Sequence, residues 1–239
     1  MKTKIIYEDQ YMLVCYKPAG LATQTARVGQ QDMVSELKNY LARTDRRAAE
    51  KKPPYLGVIH RLDQPVEGLL VFAKDSRTAA ALSASLSQGS LNKQYLAVTC
   101  GQPEKEEAEL VDYLAQEESQ PAKKAILQYR VLKKWEVPLA MADGRGEQSA
   151  VQPLALLDIH IDTGRFHQIR IQMAHAGLPL LGDSRYGTEH SMDVSRRLGV
   201  RNVALCADRI VLKHPVTHKM MEFRVAPEGT IFKNILSAE

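Results

Sequence analysis

The chain has 239 residues, 44% of them hydrophobic and 25% charged, with a net charge of +4 at neutral pH. That is enough apolar material for a real core in one large domain or two small ones. It is too mild a charge balance for a histone-like, purely electrostatic binder, although it permits a nucleic-acid partner. Three scattered cysteines, Cys15, Cys100 and Cys206, with no C-x-x-C, argue against a disulfide framework and a cysteine zinc site. Apolar runs fall short of the ~18 residues that span a bilayer. Glu8 and Asp9 arrive too early for a signal peptide. The expectation is a soluble, cytoplasmic protein.

In chain order, residues 4–16 read as two short strands around the Glu8-Asp9-Gln10 turn, followed by a tight turn at Lys17-Pro18-Ala19-Gly20. Val34, Leu37 and Leu41 predict a helix over 32–43 with Asp32 as its N-cap. Residues 44–54 read as a basic exposed loop. Leu69 to Phe72 is a buried-strand candidate, and Asp75 opens a helix that stops before Gly89. From residue 93 the pattern turns mostly to strands, at 95–99, 125–134 and 151–161. In the last, Leu157, Ile159 and Ile161 alternate with Asp158 and His160. A helix is predicted over 165–176, and residues 203–213 and 219–225 form a closing strand pair around His214-Pro215. Helices and strands do not alternate regularly, so the fold class is α+β with a large mixed or antiparallel sheet, not a doubly wound parallel sheet.

Two stretches can carry chemistry. His60-Arg61-Leu62-Asp63 puts three ionisable residues directly before a buried strand. A carboxylate at the edge of a core loses solvation and needs a cation or hydrogen-bond donors to stay ionised. A structural turn with an Arg–Asp pair explains the same residues. The second stretch, Thr163-Gly164-Arg165-Phe166-His167-Gln168-Ile169-Arg170, joins a strand to a helix. His167 and Arg170, three apart, can share a helical face while Phe166, Ile169 and Met173 face the core. Arg, His and Gln at a strand end suit phosphate, sugar or base edges, and a solvated helix start explains them too. The histidines lack the spacing of a zinc hydrolase, and no glycine-rich phosphate loop occurs.

Taken together, these stretches resemble the RluA-type pseudouridine synthase family. HRLD at 60–63 followed by GLLVFAK at 68–74 looks like its catalytic motif. KQYLAV at 93–98 resembles its Lys-x-Tyr strand. TGRFHQIRIQMAHAGLPLLGDSRYG at 163–187 resembles a third motif, T-G-R-x-H-Q-I-R and then P-x-x-G-D. KPAG at 17–20 and HPVT at 214–217 also fit. The match runs from about residue 5 to 232, with four motifs in order.

The resemblance implies an α+β catalytic fold, with a central mixed sheet, flanking helices and a cleft across it, as a single domain over 1–239. It implies isomerisation of a uridine in structured ribosomal or transfer RNA, with the target nucleotide flipped out of its helix and no metal and no small-molecule cofactor. Asp63 would be the catalytic aspartate, Tyr95 would pack against the target base, and Arg170 would form the ion pair that holds Asp63 ionised. Arg61 would hold the flipped nucleotide's place, with His60, Arg165 and His167 as further RNA-binding residues. A monomer is the default. No counterpart of the S4-type RNA-binding domain of many relatives is expected here, which would put RNA selection on this domain, including basic segments such as 43–52 and Arg196, Arg197 and Arg201. The chain departs from the family where Gln64-Pro65-Val66-Glu67 replaces Arg-x-Thr-Ser, and at Gln172 and Cys206, where His is common. An RNA-binding or RNA-remodelling protein of the same fold without turnover is the alternative, and a hydrolase built on His60 and Asp63 a more distant one.

Overall fold

A computed structural model describes residues 1–25, 27, 29–44, 53–116, 119–139 and 150–236. The basic segment 45–52 therefore lies outside the described residues. The chain divides into two compact units, each discontinuous in sequence: residues 1–93 with 206–227, and residues 94–205 with 228–239.

The first unit begins with the hairpin β1 (Lys4–Glu8) and β2 (Met12–Lys17). Asp9 closes it as an Asx turn, its Oδ1 accepting from the Tyr11 and Met12 amides at 2.7 and 2.8 Å. All six residues of β2 and all seven of β4 (Glu67–Ala73) are buried, as interior strands require. β2 runs antiparallel to β4, with Lys17 opposite Gly68. β3 (Gly57–Val58) adds an antiparallel partner to β4. On that same edge, opposite β2, β4 pairs in parallel with β9 (Leu205–Lys213), through Glu67–Cys206 and Gly68–Ala207. β10 (Met220–Arg224) closes antiparallel on β9, so this sheet is mixed. At the β4–β9 contact a Cβ on Gly68 would lie 2.4 Å from the Ala207 carbonyl oxygen, and Gly68 has φ +124°, so only glycine fits. Asp32 caps α1 (Met33–Thr44) by accepting from the Ser35 amide at 2.7 Å. Asp75 caps α2 (Ser76–Ser87) through the Thr78 amide, and Leu82 of α2 joins Met12, Leu69, Val71 and Ile210 in the core.

The second unit is an antiparallel sheet in the order β5 (Asn92–Cys100), β8 (Ala150–Ile161), β7 (Lys123–Leu139), β6 (Glu107–Leu114). β6 was not among the expected strands. Its burial alternates, with Glu107, Glu109 and Leu110 through Tyr113 mixing charge and hydrophobe on an edge, and the acids masked the period. α3 runs only from Gln168 to His175, three residues shorter at its start than the spacing predicts. The cause is His167, which takes left-handed backbone (φ 51°, ψ 27°) and cannot begin a right-handed helix. Two further helices were not among the expected elements. α4 (Glu189–Arg197), capped by Thr188, turns only Val194 and two serines inward and so lacks an apolar stripe. In α5 (Thr230–Leu236), seven residues long, the buried Ile231, Phe232 and Ile235 keep helical spacing over too short a run to stand out. Among the described residues no helix is long and apolar enough to cross a membrane.

Candidate active site

In the first unit, Asp63 sits half-buried on the turn that leads into β4. That turn is braced on both sides. Upstream, the Thr23 hydroxyl donates to the Leu62 carbonyl at 2.9 Å and accepts from the Leu62 amide at 3.2 Å. Downstream, the Gly20 amide donates to the Gln64 carbonyl at 2.8 Å, and Gln64 Nε2 donates back to the Gly20 carbonyl at 3.0 Å. Across its own apex, the Val66 amide donates to the Asp63 carbonyl at 3.1 Å.

The KPAG turn supplies the centre of this bracing. Lys17 is fully buried, and its ammonium donates to the carbonyls of Leu21 (2.7 Å), Gln64 (3.1 Å) and Pro18 (3.2 Å). Three acceptors match its three donors. Burial pulls the Lys17 pKa down to about 7, against the opposing pull of the Asp63 and Glu67 charges. Glu67 is itself buried and accepts a hydrogen bond from the Tyr16 hydroxyl. The stretch where the chain departs from the family thus splits by depth: Val66 and Glu67 are core positions, whereas Gln64 is exposed and closes the turn. Arg61 is exposed. His60 is buried, and neither of its ring nitrogens meets a hydrogen-bond partner among the described residues. Burial, and then the Lys93 charge, push its pKa well below the ordinary value, so the ring is neutral.

In the second unit, Tyr95 is buried on β5 opposite Ile159 of β8. The stretch 162–168 is pinned to β7. Thr163 Oγ1 accepts from the Ile126 amide at 3.1 Å and donates to Gln168 Oε1 at 2.8 Å. Gln168 Oε1 also accepts from the Arg165 amide at 3.0 Å, while Gln168 Nε2 donates to the Ile126 carbonyl at 2.9 Å. Gln172, one turn on, accepts from Gln168 and donates to the Leu110 carbonyl and Asp112 Oδ2, each at 3.1 Å. These bonds satisfy a buried polar run that would otherwise be costly. Arg165 is held by its Nε, which donates to the Lys124 carbonyl at 3.1 Å.

Arg170 is buried and grips Asp183 with two parallel bonds, Nε to Oδ2 at 2.7 Å and Nη2 to Oδ1 at 2.8 Å. Burial would raise the Asp183 carboxyl. The Arg170 hydrogen bond and charge, with the Tyr186 and Arg185 amides, outweigh it and leave its pKa below the ordinary value. The preceding Gly182 has φ +74°, and a Cβ there would lie 2.0 Å from the Asn202 carbonyl oxygen. The G-D pair therefore places a carboxylate where no larger residue lets the backbone pass.

The family described as RNA pseudouridylate synthase matches residues 11–175. The chain belongs to this family. A Yersinia pestis tRNA pseudouridine synthase C is 31% identical over 226 residues, covering 90% of this chain and 82% of the relative. A Zymomonas mobilis ribosomal large subunit pseudouridine synthase D is 30% identical over 232 residues, covering 92% and 68%. The solved structure of human RNA pseudouridylate synthase domain containing 4 superposes with a TM-score of 0.71 at 22% identity, covering 98% of this chain and 92% of that one, which shows the shared fold. The α+β expectation with a mixed sheet is thereby met, and the RluA-type resemblance with it. As a pseudouridine synthase the chain is an isomerase.

Within this synthase the expected site residues divide between the units. Asp63, Arg61 and His60 stand in the first; Tyr95, Arg165, His167 and Arg170 stand in the second. Phe166 was expected to face the core beside Ile169 and Met173. Those two are buried, but Phe166 is 41% exposed, because the left-handed His167 turns the chain before the helix begins. Three positions matter more than sequence reasoning assigned. Lys17 and Thr23 brace the Asp63 turn, and Asp183 holds Arg170. The KPAG and P-x-x-G-D matches marked Lys17 and Asp183; nothing marked Thr23. His214 of the HPVT match is also structural: its Nδ1 accepts from the Val216 and Thr217 amides at 3.2 and 3.0 Å, and its Nε2 meets Asp9 Oδ2 at 2.8 Å. Among the described residues no three His, Cys, Asp or Glu side chains are grouped to hold a metal ion.

Proposed function

We propose that this synthase converts a specific uridine of a structured ribosomal or transfer RNA to pseudouridine, in the cytoplasm, as a monomer and without metal or cofactor. The relatives named for tRNA and for large-subunit ribosomal RNA support that choice of substrates. Asp63 is the catalytic carboxylate. The observation that carries this role is the turn beneath it, tied at Leu62 and at Gln64 by Thr23, Gly20 and Lys17. A group that must meet a sugar or base carbon at one geometry gains most from a backbone that cannot shift.

The reaction breaks N1–C1′, turns the uracil, and forms C5–C1′. The C5 proton leaves and N1 gains one, so no redox partner is required. An ionised carboxylate serves as nucleophile or as base in this sequence. Tyr95 packs against the uracil. Arg170, whose guanidinium Asp183 orients through Nε and Nη2, has the part of counter-charge to the catalytic carboxylate that the family resemblance gives it. A base stacked in a helix is out of reach, so the nucleotide flips out at a cost of a few kcal/mol. Arg61, exposed beside Asp63, holds the vacated place, and Arg165 and His167 add RNA contacts.

The test is pseudouridine mapping of total RNA from cells lacking this chain, complemented with wild type or Asp63→Asn. A small set of uridines should lose modification in the deletion, return with wild type, and stay unmodified with Asp63→Asn although that variant folds. Restoration by Asp63→Asn removes the catalytic role. A deletion that changes no uridine favours an RNA-binding protein without turnover.

A further inference from the structure

The position between Arg165 and His167 is the one that T-G-R-x-H-Q-I-R leaves open, and this chain fills it with an aromatic residue that burial does not explain. Phe166 is 41% exposed. Its ring stacks on the His167 ring with centroids 3.7 Å apart and planes 21° from parallel. Side chains of consecutive residues rarely lie face to face. Here they do because His167 adopts left-handed backbone, φ 51°. A non-glycine residue in that region costs of order 1–2 kcal/mol, and such outliers collect at functional sites.

The His167 ring is fixed in turn. Its Nδ1 lies 2.9 Å from the Tyr186 hydroxyl, and the Tyr186 ring meets it edge-on at 5.6 Å. The exposed Arg185 carries its guanidinium carbon 5.8 Å from the centre of the Phe166 ring and 5.5 Å from that of Tyr186. The result is an exposed aromatic plate backed by a second ring and flanked by a cation, all within the second unit. Because the plate is already ordered, little side-chain entropy remains to be lost on binding.

We propose that Phe166, backed by His167 and flanked by Arg185, is a stacking platform for an unpaired nucleobase of the RNA, a neighbour of the modified nucleotide and not that nucleotide itself. The inference rests on the reading that the substrate is RNA. Every base has a π-face, so an aromatic plate holds an unpaired base without reading its edges. The guanidinium adds cation–π attraction and takes up phosphate charge.

The experiment compares the full chain with Phe166→Leu, Phe166→Tyr and Arg185→Ala. Each is titrated with a fluorescein-labelled oligoadenylate octamer and with an abasic octamer carrying the same phosphates, at one salt concentration. Wild type should prefer the oligoadenylate, and Phe166→Leu should lose about tenfold in affinity for it while binding the abasic strand unchanged. Phe166→Tyr should restore the preference, which a fold defect could not do. Arg185→Ala should weaken both strands and the oligoadenylate more. A wild type without preference, or a Phe166→Leu protein that keeps it, overturns the platform. Neither result touches the Asp63→Asn test, and a failure of that test leaves the stacking result to stand by itself.

Discussion

Asp183→Asn keeps the shape of the side chain and removes its charge. In the folded protein Asp183 Oδ1 accepts from Arg170 Nη2 at 2.8 Å, the Arg185 amide at 3.0 Å and the Tyr186 amide at 3.1 Å. Oδ2 accepts from Arg170 Nε at 2.7 Å. An asparagine with its oxygen in the Oδ1 place keeps three of these bonds and sets its amide nitrogen against Arg170 Nε, donor against donor. The flipped amide keeps one and loses three. The side chains are 5% and 1% exposed, so water cannot take the lost partner's place. Breaking a buried ion pair by removing one partner costs about 3–5 kcal/mol. The three retained contacts reduce that to about 2–4 kcal/mol, a large share of a typical native stability of about 5–15 kcal/mol. Urea unfolding at pH 7 should show the midpoint fall with little change in slope. The pH dependence follows from the lowered carboxyl pKa. Stability from a depressed carboxylate is complete above its ordinary value of 3.8 and is lost as pH falls through the folded value. The gap between wild type and variant should therefore be full at pH 7 and narrow below pH 3.8. A loss under about 1 kcal/mol at pH 7, or a gap that stays the same in acid, would refute the reasoning.

Two further outcomes are expected. Lys17, at about 7 in the fold against 10.5 when exposed, binds fewer protons folded than unfolded across that window. Its contribution to stability therefore rises with pH, by at most about 1.4 kcal/mol per unit. Lys17→Met should remove that rise, and equal slopes in urea titrations at three pH values between 7 and 10 would count against it. Gly68→Ala drives a methyl to 2.4 Å from a carbonyl oxygen, whereas Gly199→Ala, at φ +68°, meets nothing within 4 Å. The second should cost about 1–2 kcal/mol for its backbone alone. The first should cost well beyond that or yield no soluble protein, and similar losses in the two would contradict the close β4–β9 approach.

What the sequence disclosed about the fold follows from the kind of signal each element carried. β4 is seven buried residues in a row and α2 has Asp75 as a cap, so both were legible. β6 and α4 were not. β6 interleaves Glu107, Glu109 and Asp112 with its hydrophobes, and α4 buries serines, so neither shows an apolar stripe. The hydrogen bonds that end or begin elements were legible where a short polar residue stood next to a periodic run, as at Asp32 and Asp75. They were invisible where the cap is conformational, as at His167, since nothing in the letters T-G-R-F-H-Q says that one residue takes left-handed backbone.

The same distinction governs the site. Asp63 was conspicuous because a charge directly before a buried strand is rare, and Arg170 and Tyr95 were conspicuous by motif. What holds Asp63 in place was not conspicuous, because the bracing is made by carbonyls and amides, which every residue carries. Lys17 is the instructive case. In sequence it is one cation in a turn, with a solvated surface as the ordinary expectation. In the fold it has no exposure, and three carbonyls surround its ammonium. Two of those carbonyls belong to its own turn and the third to Gln64, next to the proposed catalytic carboxylate. The KPAG and HRLD matches, 43 residues apart by Lys17 and His60, are therefore two halves of one structure. Gln64 can replace the family's arginine without loosening it, because the bond to Lys17 uses the Gln64 backbone and not its side chain. Glu67 is different. Its carboxylate is buried against Tyr16 and adds to the charge that favours a protonated Lys17, so its exchange for the family's serine changes the electrostatics beneath Asp63 while leaving the turn's hydrogen bonds intact.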